Sequence, residues 1–134
     1  MKLLGFAILL FSFSAFANNP QQRACRLTGG EFHALQIEAD QVGFCVYGTS
    51  MLDSISIMQS AESGQVSRAV VEFNDPSNSC EVGGGVEKQG KDLEGREFQI
   101  CVFDDHSAVE LQTMLGGADA PCNSELVKAL KIRY

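Results

Sequence analysis

An α+β protein of two tandem, disulfide-stapled helix/β-hairpin/helix units is what this sequence predicts, with extra strands available to join them. Three observations carry the prediction. Residues 19–64 can be laid over residues 75–117 at an offset of about 56, so that Pro20 answers Pro76, Cys45 answers Cys101 and Met58 answers Met114. Four of the five cysteines sit at equivalent places in the two copies, Cys25 with Cys80 and Cys45 with Cys101. Within each copy, apolar residues alternate with others around the second cysteine, the period-two signature of a half-buried strand.

The elements follow in chain order. Lys2 and the apolar run from Leu3 to Phe16 end on Ala15-Phe16-Ala17, a small-x-small pattern suited to signal peptidase, so residues 1–17 read as a cleaved signal peptide. The run is short of the roughly 20 apolar residues that a membrane span requires. The first unit then covers residues 18–64, the second 75–117, with a linking strand over 65–74 and a C-terminal extension over 118–134. Asn19 and Asp75 can accept hydrogen bonds from the free amides of a first helical turn, and Pro20 and Pro76 follow where a missing N–H costs nothing. A short helix is therefore expected to open each unit and to stop at the paired glycines Gly29-Gly30 and Gly84-Gly85.

A hairpin comes next. Glu31 to Ile37 and about Gly85 to Gln89 are its first strands; Val42, Phe44 and Val46, and in the second copy Phe98, Ile100 and Val102, form the aliphatic stripes of the strands that follow. Cys45 and Cys101 fall on the opposite faces. Ser50 with Asp53, and Ser107 with Glu110, resemble capping boxes for a closing helix. Its inner face would be Leu52, Ile55 and Met58, or Ala108, Leu111 and Met114-Leu115. Between the copies, Val66 to Phe73 is rich in β-branched residues and reads as a strand. Ser124 to Tyr134 has mixed periodicity and could pair with it.

A unit of about 45 residues buries too little apolar surface to be comfortably stable without a staple. Sequence alone allows several connectivities. The repeat favours Cys25 with Cys45 and Cys80 with Cys101, each closing a loop worth about 3 kcal/mol in the chain-entropy model. Cys122 is left as a free or intermolecular thiol, with no flanking Lys or Arg to stabilise a thiolate.

The order N-P, C, G-G, then GFCVY or QICVF resembles a family of small exported bacterial domains, domain of unknown function 333, whose members carry a haemolysin label. The resemblance spans both copies. It implies an extracytoplasmic bacterial setting, no established catalytic residues, and a second cysteine pair around the last helix with a Trp between. This chain departs from that pattern: positions near Leu52 and Val109 are not Cys, there is no Trp, and Cys122 reads as a remnant of the second member of the pair.

Charge and motifs narrow the function further. A formal net charge of −7 without a basic patch makes nucleic acid and anionic lipid poor partners. Gly85 to Lys91 has P-loop spacing, but Asp92 stands where Ser or Thr must hold magnesium, and the segment falls in a hairpin. His106, after Asp104-Asp105, could bind a metal or relay a proton, but His33 is the only other histidine and the same residues make an ordinary polar turn. No catalytic set, cofactor site or metal site can be assembled. The reading is a non-enzymatic binding or accessory protein of the bacterial cell envelope, periplasmic or secreted, acting on an unknown protein or envelope component. The alternative is an inhibitor of an exported hydrolase such as a protease, with Glu38 to Gln41 or Lys91 to Arg96 as the inhibitory edge. Membrane lysis lacks an amphipathic basic helix or an apolar span to support it.

Overall fold

The computed structural model describes residues 19–134, and the predicted signal peptide lies outside the described residues. Helix α1 (Pro20–Leu27) opens the first half, and Asn19 caps it by accepting from the Gln21 amide at 2.8 Å. Strands β1 (Glu31–Ile37) and β2 (Asp40–Tyr47) form the expected hairpin. A third, short strand follows, β3 (Ser50–Asp53), and then helix α2 (Ser54–Ser63). The second half repeats this order with β4 (Val86–Lys91), β5 (Glu97–Val102), β6 (Ala108–Glu110) and α4 (Leu111–Gly116). Helix α3 (Arg68–Asn74) links the halves and α5 (Ser124–Leu130) closes the chain.

All six strands join in one closed antiparallel barrel of order β1-β2-β3-β6-β5-β4. Its two seams join equivalent residues of the two copies: Leu52 faces Val109 where β3 meets β6, and Gln36 faces Lys91 where β1 meets β4. A pseudo-twofold axis through these two pairs relates the halves. Across the first seam, Cys45 faces Leu52 and Val109 faces Cys101, so four fully buried side chains lie in a row on the outside of the barrel. The expected alternation puts Leu35, Phe44, Met51, Ile100 and the stripe valines inside the barrel. Cys45, Tyr47, Leu52, Cys101, Phe103 and Val109 point outward into a second core against the helices.

The disulfides are Cys25–Cys45 and Cys80–Cys101, with Cα separations of 5.1 and 5.6 Å. Each ties the segment ahead of the hairpin to the outer face of the hairpin's second strand. The paired glycines serve this packing. Gly30 donates to the Cys25 carbonyl at 2.8 Å and Gly85 to the Cys80 carbonyl at 2.9 Å. A Cβ on Gly30 would lie 2.6 Å from the Tyr47 ring, and one on Gly85 would collide with the second disulfide and the Phe103 ring. The spacing of C, G-G and C-V-aromatic therefore describes one contact, in which a bare backbone lies flat against an aromatic ring beside a disulfide.

Four expectations need correction. The opening helix is absent from the second copy: Asp75 ends α3, its amide donating to Val71, and Ser77 to Gly84 run as turns held by the Glu72 carboxylate and by Arg68 on the Gly83 carbonyl. Residues 68–74 of the proposed linking strand form a helix, because Ala69, Val70 and Phe73 bury one helical face and Ser67 caps the first turn. Residues 124–130 are likewise helical, so the halves are welded by barrel closure and not by a strand pair outside it. Finally, Ser50 and Ser107 do not cap the closing helices. Asp53 and Glu110 do, after β3 and β6, so Leu52 and Ala108 are sheet residues; Ile55 is 46% exposed and Ile57 takes the buried place.

Replacing Cys25 and Cys45 by Ser, or Cys80 and Cys101 by Ser, is expected to cost about 3 kcal/mol for each pair. The midpoint of urea unfolding measures this, and an unchanged midpoint would remove the staples from the account of stability. Tyr47 is buried, with its hydroxyl 2.7 Å from Thr28 Oγ1, and burial pushes its pKa up to about 12. The unfolded chain ionises this tyrosine near 10, so stability should fall with rising pH between about 10 and about 12. Tyr47→Phe, which copies Phe103, should lose about 1 kcal/mol below pH 10 and abolish that alkaline slope.

Candidate functional site

The barrel has two openings related by the pseudo-twofold axis. The first encloses about 520 Å³, with Ile37, Val42, Val102 and Ala108 as an apolar floor and Glu38, Lys88 and His106 at its polar edge. The second encloses about 380 Å³, floored by Leu35, Val46, Met51 and Phe98, with His33 and Arg96 among its polar lining. Each opening is framed by the hairpin turn of one half and the loop after the hairpin of the other. The molecule thus contains an internal reference for its own larger cleft.

That reference singles out two residues. Among the described residues, Glu38 (φ 53) and His106 (φ 68) are the non-glycine positions with left-handed backbone, and both line the larger cleft. The turns at the corresponding places around the smaller cleft use Gly95 (φ 86) and Gly48 (φ 66). A side chain in this conformation costs roughly 1–2 kcal/mol that glycine avoids. Left-handed side chains thus stand at two points of one cleft, where the sister cleft has glycine.

The surroundings hold both residues in place. Glu38 forms an ion pair with Lys88, which comes from the other half, and its carbonyl accepts from the Gln36 side chain at 2.9 Å. His106 is fixed through its neighbours. Asp105 Oδ2 accepts from the Arg68 amide at 2.9 Å and Ser107 Oγ from the Ala69 amide at 2.9 Å, so the loop carrying the imidazole also caps α3. Burial acts to raise the Asp105 pKa, but the Arg68 amide and the Ser107 hydroxyl and amide outweigh it and hold the carboxyl below the usual range.

Asp53 forms the inner wall. Its carboxylate accepts from the Ser56 amide at 3.0 Å, the Ser56 hydroxyl at 2.6 Å and the Ala108 amide at 3.1 Å, joining the α2 cap to the β6 strand. Ser56 Oγ lies 2.7 Å from Ser67 Oγ. Burial pushes the Asp53 pKa up despite the Ser56 and Ala108 bonds, and the Asp105 charge adds to the rise. The group is 4% exposed and its bonds are those of a cap. It shapes the wall, and the exposed carboxylates of the cleft are those of Glu38 and Asp40.

The other sequence candidates separate. His33 lies at the smaller opening, 3.3 Å from Glu31. Cys122 is a free, exposed thiol in the 3-10 turn Pro121–Asn123, far in sequence from the strand whose Ser50 hydroxyl donates to its carbonyl. The P-loop-like stretch is strand β4, as its rejection required. Among the described residues no group of three or more His, Cys, Asp or Glu could hold a metal ion, and no helix is long and apolar enough to cross a membrane.

Of the two loops named from sequence, Glu38 to Gln41 is the rim of the larger cleft. Lys91 to Arg96 contains a tight hairpin tip. Asp92 accepts from the amides of Glu94 and Arg96 and from the Arg96 guanidinium, and Leu93 projects from it 86% exposed. No protein-family model matches the chain, no curated protein matches it, and no solved structure matches it. The chemistry of the site rests on its own geometry.

His106→Gly should relieve the left-handed strain at the expense of glycine's greater chain entropy, a net gain of about 0.5–1 kcal/mol. A raised thermal midpoint checks it. A lowered midpoint would mean that the imidazole stabilises the loop and that its conformation needs no other explanation.

Proposed function

We propose that this chain is an exported, non-enzymatic binding or accessory protein of the bacterial cell envelope, and that it binds through the larger mouth of its barrel. The observation that carries this reading is the pair of strained side chains, Glu38 and His106, on one apolar-floored cleft whose sister uses glycine at both turns. Rigid barrel walls and staples favour recognition, because little conformational entropy remains to be lost on binding. The export part of the proposal rests on the leader-like residues 1–17 and on the resemblance to domain of unknown function 333, which also supports an extracytoplasmic place, periplasmic or secreted.

The test is crosslinking in the native host with a photoreactive residue at Gln41, on the cleft rim, and at Glu81, on the turn segment away from it. A recurrent partner captured from Gln41 and not from Glu81 is expected. Equal capture from both, or none from either, would sink the reading.

A second reading, inhibition of an exported protease, is favoured by one specific feature. The Asp92–Arg96 tip is braced by its own hydrogen bonds and offers Leu93 to solvent, as a loop must if it is to fill a pocket without ordering cost. Inhibition of a secreted endopeptidase that Leu93→Asp abolishes would establish it. A panel of such enzymes unaffected at micromolar concentration would discard it.

A further inference from the structure

The larger mouth also indicates what kind of group it takes, an inference that rests on the binding role proposed above. Its floor is aliphatic, built from Ile37, Val42, Val102 and the half-exposed Ile55, while its outer edge carries the carboxylates of Glu38 and Asp40. That combination is complementary to a side chain with an apolar stem and a cationic head, the shape of lysine and arginine. The structure contains an example of the arrangement. Lys88 reaches from β4, in the other half, to place its ammonium on Glu38, and its side chain remains 34% exposed, so the pair is open to exchange. The sister mouth is arranged differently: Arg96 there pairs with Asp92 and Glu94 of its own turn, and Glu31 lies 3.3 Å from His33.

We propose that the mouth binds a basic side chain of a partner's peptide segment, with Glu38 and Asp40 holding the cationic head, the aliphatic floor holding the stem, and Lys88 as the resident cation that the incoming group displaces. His106 lies on the same cleft and stands in the left-handed conformation that the sister mouth leaves to glycine, where its imidazole can bond the peptide backbone. The overall charge of −7 adds attraction for such a segment at long range.

The experiment is a titration of the isotopically labelled folded chain, followed by amide shifts, with the peptide acetyl-Leu-Arg-Leu-amide, its Glu counterpart and spermidine. The Arg peptide should shift Ile37, Val42 and Val102 saturably, and the Glu peptide should not. Lys88→Met frees the Glu38 carboxylate and should tighten binding roughly fivefold, the factor for about one charge-assisted contact. Glu38→Gly should weaken binding by a similar factor without lowering the thermal midpoint, which separates lost recognition from lost folding.

Equal binding of the Glu peptide, weaker binding by Lys88→Met, or shifts produced by spermidine to which the Arg peptide adds nothing would each overturn the proposal. A partner crosslinked at Gln41 whose contacting segment has no basic residue would overturn it too, while leaving the binding role in place. Absence of any partner from Gln41 would remove both.

Discussion

Each three-stranded half of this chain has two free edges, and a strand edge exposes unpaired N–H and C=O groups that must find partners. Barrel closure joins all four edges at once, through two short seams, and both seams pair equivalent residues of the two copies. The rest of the structure depends on that closure. It creates the interior filled by Leu35, Phe44 and Ile100, and it aligns Cys45, Leu52, Val109 and Cys101 into the row on which the helices pack. A single unit has neither an enclosed interior nor a complete outer row. The disulfides stabilise each half locally, but the shared sheet makes the halves one body.

The parts of this architecture that were legible in the sequence are those with short-range chemistry. Cysteine spacing, paired glycines and the alternating stripes located the hairpins and the staples, because each reflects contacts made within some 25 residues. The short strands β3 and β6 were not legible. With four and three residues they are too brief for a period-two pattern, and their serines and acids mimic the start of a helix. Helix α3 was hidden for a different reason: Val70 and Val71 favour strands, and two of the groups that cap its first turn, Asp105 and Ser107, come from far along the chain.

The site was legible only in outline. His106 and the Glu38 to Gln41 loop stand out as polar residues at turns, but nothing local in the sequence places them on one cleft with Lys88. Their juxtaposition requires the seam between β1 and β4 and the crossing from β5 to β6. A comparison of turns between the copies holds the missing signal, since Gly48 and Gly95 mark the left-handed positions where the other mouth has side chains. The two openings differ in their backbone and their ion pairs: the larger carries side chains in the left-handed conformation and a pair that crosses between the halves.

The cap that Asp105 and Ser107 place on α3 gives the larger mouth an unusual mechanical support. His106 sits between these two residues, so its backbone cannot leave the cleft without withdrawing hydrogen bonds from the linking helix. Caps of this kind are each worth about 1 kcal/mol. The two halves are joined covalently by the segment that includes α3 and sterically by the barrel, and the loop at the mouth touches both connections. The rim of the cleft therefore behaves as a keystone: it faces the solvent, yet its position is set by the load that passes between the halves.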